Sequence, residues 1–494
     1  MNPQEKIHFK RIIGKNRLKT HVFTLFDRVC KMKNHDEKRL REGLDSVPLQ
    51  KHLKRYKSYT YDYIIHSLLD YHSDTSATLQ ISRHLQAIEI LCSKQLYKHA
   101  LKIIRKAEEL AKKNEFFHYL MIISEWKDTI VALLADLPEL KKYESVYYKE
   151  EIKNAIRYQN LLEHKLLLNK VRIQLLQAGD FPAWGVNKRT EKLRSHALLS
   201  NEKNALSSAA LEVHFNILGN IYWSMKDLKK SANYMVRALE QFEKNPIFTL
   251  TRINDHIRRA GFTFTIMARL GMHQELVVLK NKIDVFIQSL PQKLRSISLY
   301  REYMVIMNNY IDHQIQVMDL NEAERTSEEV KEIMEIQGGM QNYQVFYFNL
   351  FQIRFFRQEF RKALQAMNKL LATDKSGIRQ DIIQASKIIY LAIHFELGNE
   401  DLYMSLASSV RKYILKFRKL TPLEDILLDF FERKKRFGKK MKSDSLSELA
   451  DITRKLIMKD PEIASTEMFN WLAWITSKNE RCSFADLIKA EAKK

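Results

Sequence analysis

The sequence predicts an all-α fold, a solenoid of antiparallel helix pairs with helical regions at both ends. Three observations carry this. Only 12 of 494 residues are Gly and 8 are Pro, against usual shares of roughly 7% and 5%, so turns are short and the elements between them long. Apolar residues recur at helical spacing in paired blocks split by short polar turns. The blocks advance by about 40 residues each, within the range of helix-pair repeats.

Residues 1–75 read as a basic helical region. Residues 1–59 hold 16 Lys and Arg against 6 Asp and Glu. The stretch "LQKHLKRYKSYTYDYIIHSLLDYH" interleaves Lys51, Lys54, Arg55 and Lys57 with Tyr56, Tyr59, Tyr61 and Tyr63. Two readings stand side by side: a surface where cations meet phosphate and rings stack on bases, or an amphipathic helix whose tyrosines cover the first repeat.

Residues 76–200 read as further helix pairs. In "LCSKQLYKHALKIIRKAEEL", Leu91, Leu96, Ala100, Ile103, Ile104, Ala107 and Leu110 fall on one face. Residues 139–178 lack Gly and Pro, enough for a helix of about 60 Å at 1.5 Å per residue. The following "GDFPAWGVNK" reads as an irregular loop near 179–187.

Residues 201–420 form the main array, with pairs expected at 205–243, 246–289, 291–336, 341–373 and 377–418. Turn signals are Lys226-Asp227, Asn245-Pro246, Leu270-Gly271, Gly338-Gly339 and Gly398-Asn399. Residues 421–494 combine the run "RKKRFGKKMK", Arg433 to Lys442, with a helical cap. In that cap Phe469, Leu472, Trp474 and Ile475 would cover the last apolar face, which a stacked array needs for solubility.

Comparing the blocks singles out "NILGNIYWSMKDLKKSANYMVRALEQFEKNP", Asn216 to Pro246. It resembles a tetratricopeptide repeat (TPR). Leu218, Gly219 and Tyr222 match the family's first-helix signature, Phe215 takes its first large apolar place, and Ala238 and Leu239 match the end of the second helix. Leu228 stands where Tyr is usual and Ser231 where Ala is usual. Tyr97, Ala100, Ile104 and Ala107 repeat the second-helix half, as do Phe360, Ala363 and Met367; Leu270-Gly271 and Leu397-Gly398 match the turn. The resemblance covers about residues 80–418. As a whole the chain is similar to uncharacterised bacterial proteins that join a basic helical N-terminus to degenerate repeats of this kind.

The resemblance implies a non-catalytic interaction scaffold that binds a peptide or protein on a concave face lined by first helices. The inward positions it implies are Asn216, Asn220, Trp223, Arg258, Arg269, Asn309, His313, Gln316 and Gln352. Asn and Gln amides bond a ligand's backbone, Arg grips a carboxylate in two places, and Trp223 would anchor the interface. The family's carboxylate-clamp pattern is incomplete in this chain. The alternative is a nucleic-acid-associated or peptide-sensing regulator working through the basic N-terminus, with Arg433, Lys434, Lys435 and Arg436 as further phosphate contacts.

Chemistry is not expected. No phosphate loop, GxGxxG, HExxH or GxSxG occurs, so no catalytic, cofactor or metal residues are assigned. Acid pairs such as Glu108-Glu109, Glu150-Glu151 and Glu328-Glu329 sit among lysines as solvated helix faces. Cys30, Cys92 and Cys482 are odd in number and far apart. They read as buried small apolar residues in a reducing compartment. With no signal-like apolar run and no stretch of about 18 apolar residues, a cytoplasmic location is expected.

Overall fold

In the computed structural model every regular element among the described residues is helical. The structure describes residues 1, 3–13, 17–32, 36–44, 47–134, 137–177, 192–337, 340–374, 379–432, 443–460 and 468–492. The loop expected near 179–187, the Gly338-Gly339 turn and the 433–442 run lie outside them.

The first ten helices are α1 (Pro3–Ile13), α2 (Arg17–Lys31), α3 (Glu37–Glu42), α4 (Val47–Lys51), α5 (Leu53–His72), α6 (Ala77–Ser93), α7 (Tyr97–Lys113), α8 (Phe117–Leu134), α9 (Leu137–Lys142) and α10 (Tyr148–Gln177). Next come α11 (Ser208–Ser224), α12 (Leu228–Lys244), α13 (Pro246–Thr251), α14 (Ile253–Arg269), α15 (His273–Ser289), α16 (Ile297–Gln316), α17 (Leu320–Gln337), α18 (Met340–Phe356), α19 (Phe360–Leu371), α20 (Gln380–Glu396) and α21 (Glu400–Leu415). The C-terminal set is α22 (Pro422–Phe431), α23 (Ser443–Lys459), α24 (Trp471–Asn479) and α25 (Phe484–Ala492). Two compact units result: Met1–Met225 with Glu240–Arg252 and Pro291–Leu294, and Lys226–Leu239 with Ile253–Leu290 and Arg295–Lys494.

In the first unit, α1 and α2 pack on α5, α6 on α7, α7 on α8, and α10 on both α8 and α11. Apolar clusters serve it, among them three separate ones. Phe9, Ile13, Val22 and Phe26 form one, Leu25, Leu40, Leu44, Leu49 and Leu53 the next, and Ile81, Ala100, Ile104 and Phe117 belong to the third. The start of α11 is held from outside its own helix. Ser207 accepts from the Ala210 amide at 3.1 Å, and the Glu115 carboxylate takes the Ser208 and Ala209 amides at 3.0 and 2.8 Å. A negative group on those otherwise unpaired amides suits the helix dipole. The stretch expected as one helix is interrupted: Tyr143–Tyr147 is a π-helical turn between α9 and α10.

In the second unit the first helix of each pair touches its partner and the first helix of the next pair: α14 on α15 and α16, α16 on α17 and α18, α18 on α19 and α20. Burial follows from this. α20, with neighbours on several sides, buries Ile382, Ile383, Ile388, Ile389, Leu391, Ala392 and Ile393. α21 buries only the stripe Tyr403, Ala407, Val410 and Ile414, spaced as one face of a helix. The C-terminal residues expected as a cap do join this core: Trp474 and Ile475 are fully buried and Phe469 nearly so, while Leu472 is half-buried. Trp474 Nε1 donates to Glu396 at 2.7 Å, and Lys478 Nζ donates to the same carboxylate at 2.8 Å.

One turn recurs along the chain. A three-residue link joins α6 to α7, α7 to α8, α11 to α12, α14 to α15, α16 to α17, α18 to α19 and α20 to α21. Its middle residue is left-handed each time: Gln95, Glu115, Lys226, Gly271, Met318, Gln358 and Gly398, with φ between 53° and 72°. The next amide then reaches five residues back, as in Leu96 N to Leu91 O and Asn399 N to His394 O, both 2.9 Å. That bond closes a Schellman-type helix end. Arg481, in the link from α24 to α25, shares the conformation with φ 52°. Next to it Cys482 is exposed, while Cys30 and Cys92 are half-buried. The expectation that all three cysteines are buried fails, because Cys482 lies in a turn and not on an inward helix face.

A Cβ at Gly398 would meet nothing within 4 Å, so Gly398→Ala tests backbone strain alone. It should lower stability by about 1 kcal/mol. Gln95→Gly should raise it by roughly 0.5 kcal/mol, relief of the left-handed strain outweighing the entropy lost. Urea denaturation of both variants checks the signs.

Candidate partner-binding face

Two first helices of the second unit, α14 and α16, run side by side in a fixed register. Asn254 Nδ2 donates to Ser298 Oγ at 2.9 Å, Arg258 to Glu302 at 2.6 and 3.0 Å, and Asn309 Nδ2 to Thr265 Oγ1 at 2.8 Å. Each pair is separated by 44 residues. A constant offset means parallel helices in step, so the contacts form a polar ladder along the seam. Midway, a Cβ on Gly261 would lie 3.4 Å from Ile306 Cγ1. A larger side chain there would press on Ile306 and Val305. α18 is tied to α16 by Asn349 Nδ2, which donates to the Asn308 carbonyl at 2.8 Å.

At the C-terminal end of the seam the ladder becomes ionisable. His273 Nδ1 lies 3.4 Å from His313 Nε2, and the rings stack with centroids 4.8 Å apart. Burial, with His273 beside it, holds His313 below the ordinary histidine value. Asp312 accepts from Gln316 Nε2 at 2.9 Å. Although part of Asp312 reaches solvent, crowding by its neighbours pushes its carboxyl up to about 6, and the Gln316 bond and the charge of Arg269 offset this only in part. Burial also lowers Arg269, with Asp312 working the other way.

The residues expected to face a partner therefore divide. Arg258, Arg269 and Gln316 are exposed and Asn309 half-buried, all on α14 or α16. Gln352 is half-buried on α18. His313, expected on the open face, is 3% exposed because His273 covers it. The first unit holds the other three. Asn216 is 1% exposed, its Oδ1 and carbonyl taking the Asn220 amide at 2.7 and 2.8 Å. It faces inward and not toward a partner, because α11 is buried along most of its length. Asn220 and Trp223 are half-buried.

Glu302, Thr265, Ser298, Asn254, Asp312 and His273 were not anticipated. Laying the 253–269 block over 297–316 at an offset of 44 would have paired four of them.

The basic N-terminal residues are placed differently. Lys51 and Lys54 are exposed; Lys57 pairs with Glu37 at 2.9 Å. Arg55 donates to the Tyr59 hydroxyl at 2.7 Å, with its guanidinium 5.4 Å from that ring. Tyr56, Tyr59 and Tyr63 pack against the N-terminal clusters, and Tyr61 alone of the four is exposed. Arg433, Lys434, Lys435 and Arg436 lie outside the described residues.

Among the described residues no three His, Cys, Asp or Glu side chains converge to hold a metal ion, and no helix is long and apolar enough to cross a membrane. No protein-family model, curated protein or solved structure matches the chain.

Asp312 gives a test with a definite sign. Its folded-state pKa lies above the ordinary 3.8, so ionisation opposes folding. The cost is absent below the ordinary value, grows as pH rises toward about 6 and is complete above it. Asp312→Asn should therefore gain stability over the parent protein as pH rises from about 4 to 7.5. Urea midpoints at both ends of that range measure the gain; equal differences at the two would remove the assignment.

Proposed function

We propose that the protein is a non-catalytic interaction scaffold. Its helix pairs stack as a TPR-like solenoid, and the first-helix side grips an extended peptide or protein segment. The observation that carries this reading is the in-step polar ladder between α14 and α16. Side chains that hold one another in place present donors and acceptors at fixed positions. Preorganised groups of this kind give up little conformational freedom on binding.

Each residue has a part. Arg258, held by Glu302 and more loosely by Asp255, turns the guanidinium N–H groups left over from these bonds to a carbonyl or carboxylate. Gln316 and Gln352 supply amide contacts that read a backbone and not a particular side chain.

A photo-crosslinking residue at Gln352, in the full chain expressed in its native cell, should capture a defined partner segment mapped by mass spectrometry. The double variant Arg258→Ala, Gln316→Ala, with the crosslinker still at 352, should weaken that partner by about thirtyfold, near 1 kcal/mol for each contact. Capture that is diffuse, or unchanged in the double variant, rejects the reading.

A second reading rests on exposed Lys51 and Lys54, beside an Arg55 hydrogen-bonded to the Tyr59 hydroxyl. It predicts that the intact protein binds single-stranded nucleic acid at low salt, with affinity falling linearly against log salt. Lys51→Gln with Lys54→Gln should flatten that slope. No binding at about 20 mM salt ends it.

A further inference from the structure

Helix α10 is apolar on two opposite sides. Leu161, Leu167, Leu168 and Val171 are buried where it packs against α8 and α11. The far side carries Tyr148, Ile152, Ile156, Leu162, Leu166 and Ile173, each between 45% and 60% exposed. At about 100° per residue these six fall within roughly a third of the circumference, in a stripe about 40 Å long. A surface helix ordinarily turns polar residues to solvent. Single exposed apolar residues need no account, but six in line do.

The size of the stripe decides what can cover it. With roughly 200 Å² of accessible surface for a side chain of this size, it leaves on the order of 600 Å² of apolar surface in water. That is the upper end of what a monomer ordinarily shows. A second copy laid on it would bury about 1,200 Å² in all, the lower bound for a stable, specific interface. Charge fixes the direction. Residues 144–153 carry Glu144, Glu150 and Glu151 against Lys149 and Lys153, while residues 163–172 carry Lys165, Lys170 and Arg172 against Glu163. Within the chain Glu150 is shared by Arg157 and Lys153 at 3.4 and 3.7 Å, and Glu151 accepts from Ser124 at 3.2 Å. The preference is therefore one of summed field and not of a single ion pair. Parallel copies would set basic end on basic end; antiparallel copies set it on the acidic one.

We propose that the stripe is the contact surface of a homodimer, in which α10 of a second copy lies antiparallel on α10 about a two-fold axis. The same patch then serves on both copies. Matching the stripe's two ends, Tyr148 on Ile173, puts the axis between Gln159 and Leu162. Gln159 and Glu163, mid-stripe, already satisfy each other at 2.9 Å, so covering them costs less than covering a bare carboxylate. Lys170, in the same line, has a stem long enough to keep its ammonium in water. Stripe and ladder belong to different compact units, so neither reading rests on the other.

Sedimentation equilibrium of the full chain, 58.6 kDa, should show a mass rising toward twice that value. The rise should fall between about 1 and 100 µM, as suits an interface at the small end of the stable class. Leu162→Glu with Leu166→Glu should raise the dissociation constant by about a hundredfold or more, and Leu166→Met should keep it within about threefold. Both positions are exposed in the single chain, so urea midpoints taken below the association range should match the parent. Cross-linking tests the register without disturbing the stripe. In a Cys482→Ser background, itself the blank, Gln159→Cys should join two copies through a short bismaleimide. Lys149→Cys should not, because the antiparallel register holds it roughly 35 Å from its counterpart. The pair of cysteine variants decides the matter if the double Glu variant fails to fold. A chain that stays monomeric at about 100 µM overturns the proposal, whether or not it floats with anionic lipid vesicles. A dimer that survives the folded double Glu variant, or equal cross-linking at 149 and 159, overturns it too.

Discussion

Joining two helices in three residues forces one of the three into the left-handed region, and the rest of the architecture depends on that constraint. A link this short leaves the second helix no choice but to run back along the first. Each pair is then one layer thin and cannot cover both sides of its own first helix, so α14, α16, α18 and α20 find cover on one another. Five of the seven three-residue links carry a residue with a Cβ at the left-handed position. Accumulated backbone strain at these turns is tolerated because burial of whole first helices outweighs it. Glu115 shows a return on that strain: from its left-handed position its carboxylate reaches the start of α11.

The ladder between α14 and α16 has a different physical character from the apolar packing around it. Apolar contact is non-directional and would tolerate a slip of one helix along the other. Hydrogen bonds at 254–298, 258–302 and 265–309 do not tolerate such a slip, since moving by one residue would separate every donor from its acceptor. Gly261 adds a steric condition at the same seam. Polar pairing here sets register, and burial supplies most of the stability.

Much of this was legible in the chain itself. Scarce Gly and Pro with helical periodicity announced the helix pairs, and Gly271, Gly398 and Pro246 marked their ends, because each residue has a backbone reason to sit there. Met318 and Gln358 gave no such sign: a left-handed residue with an ordinary side chain is invisible to a search for glycine. Arg258, Asn309 and Gln316 were readable as polar positions on first helices. The cross-helix partners Glu302 and Thr265 were not, since pairing depends on a 44-residue register that repeats of drifting length do not declare. Asn216 and His313 were misjudged for a common cause. In a helix covered on most sides, a polar residue with a partner of its own can lie inside, so polarity alone does not indicate exposure. The π turn was hidden because Tyr143–Tyr147 contains neither Gly nor Pro.

The grip of Trp474 and Lys478 on Glu396 bears on how the protein is made. Glu396 sits 8% exposed at the end of α20, and its two partners lie 78 and 82 residues further along the chain. Once α22 has left the ribosome and before α24 has, the nascent chain carries Glu396 without Trp474 and Lys478, and Phe395 and Phe431 without their aromatic neighbour Trp474. That intermediate is sticky and incomplete. Folding of this unit is thus bound to the emergence of α24, and a chaperone that recognises exposed aromatic surface has its opportunity in the interval.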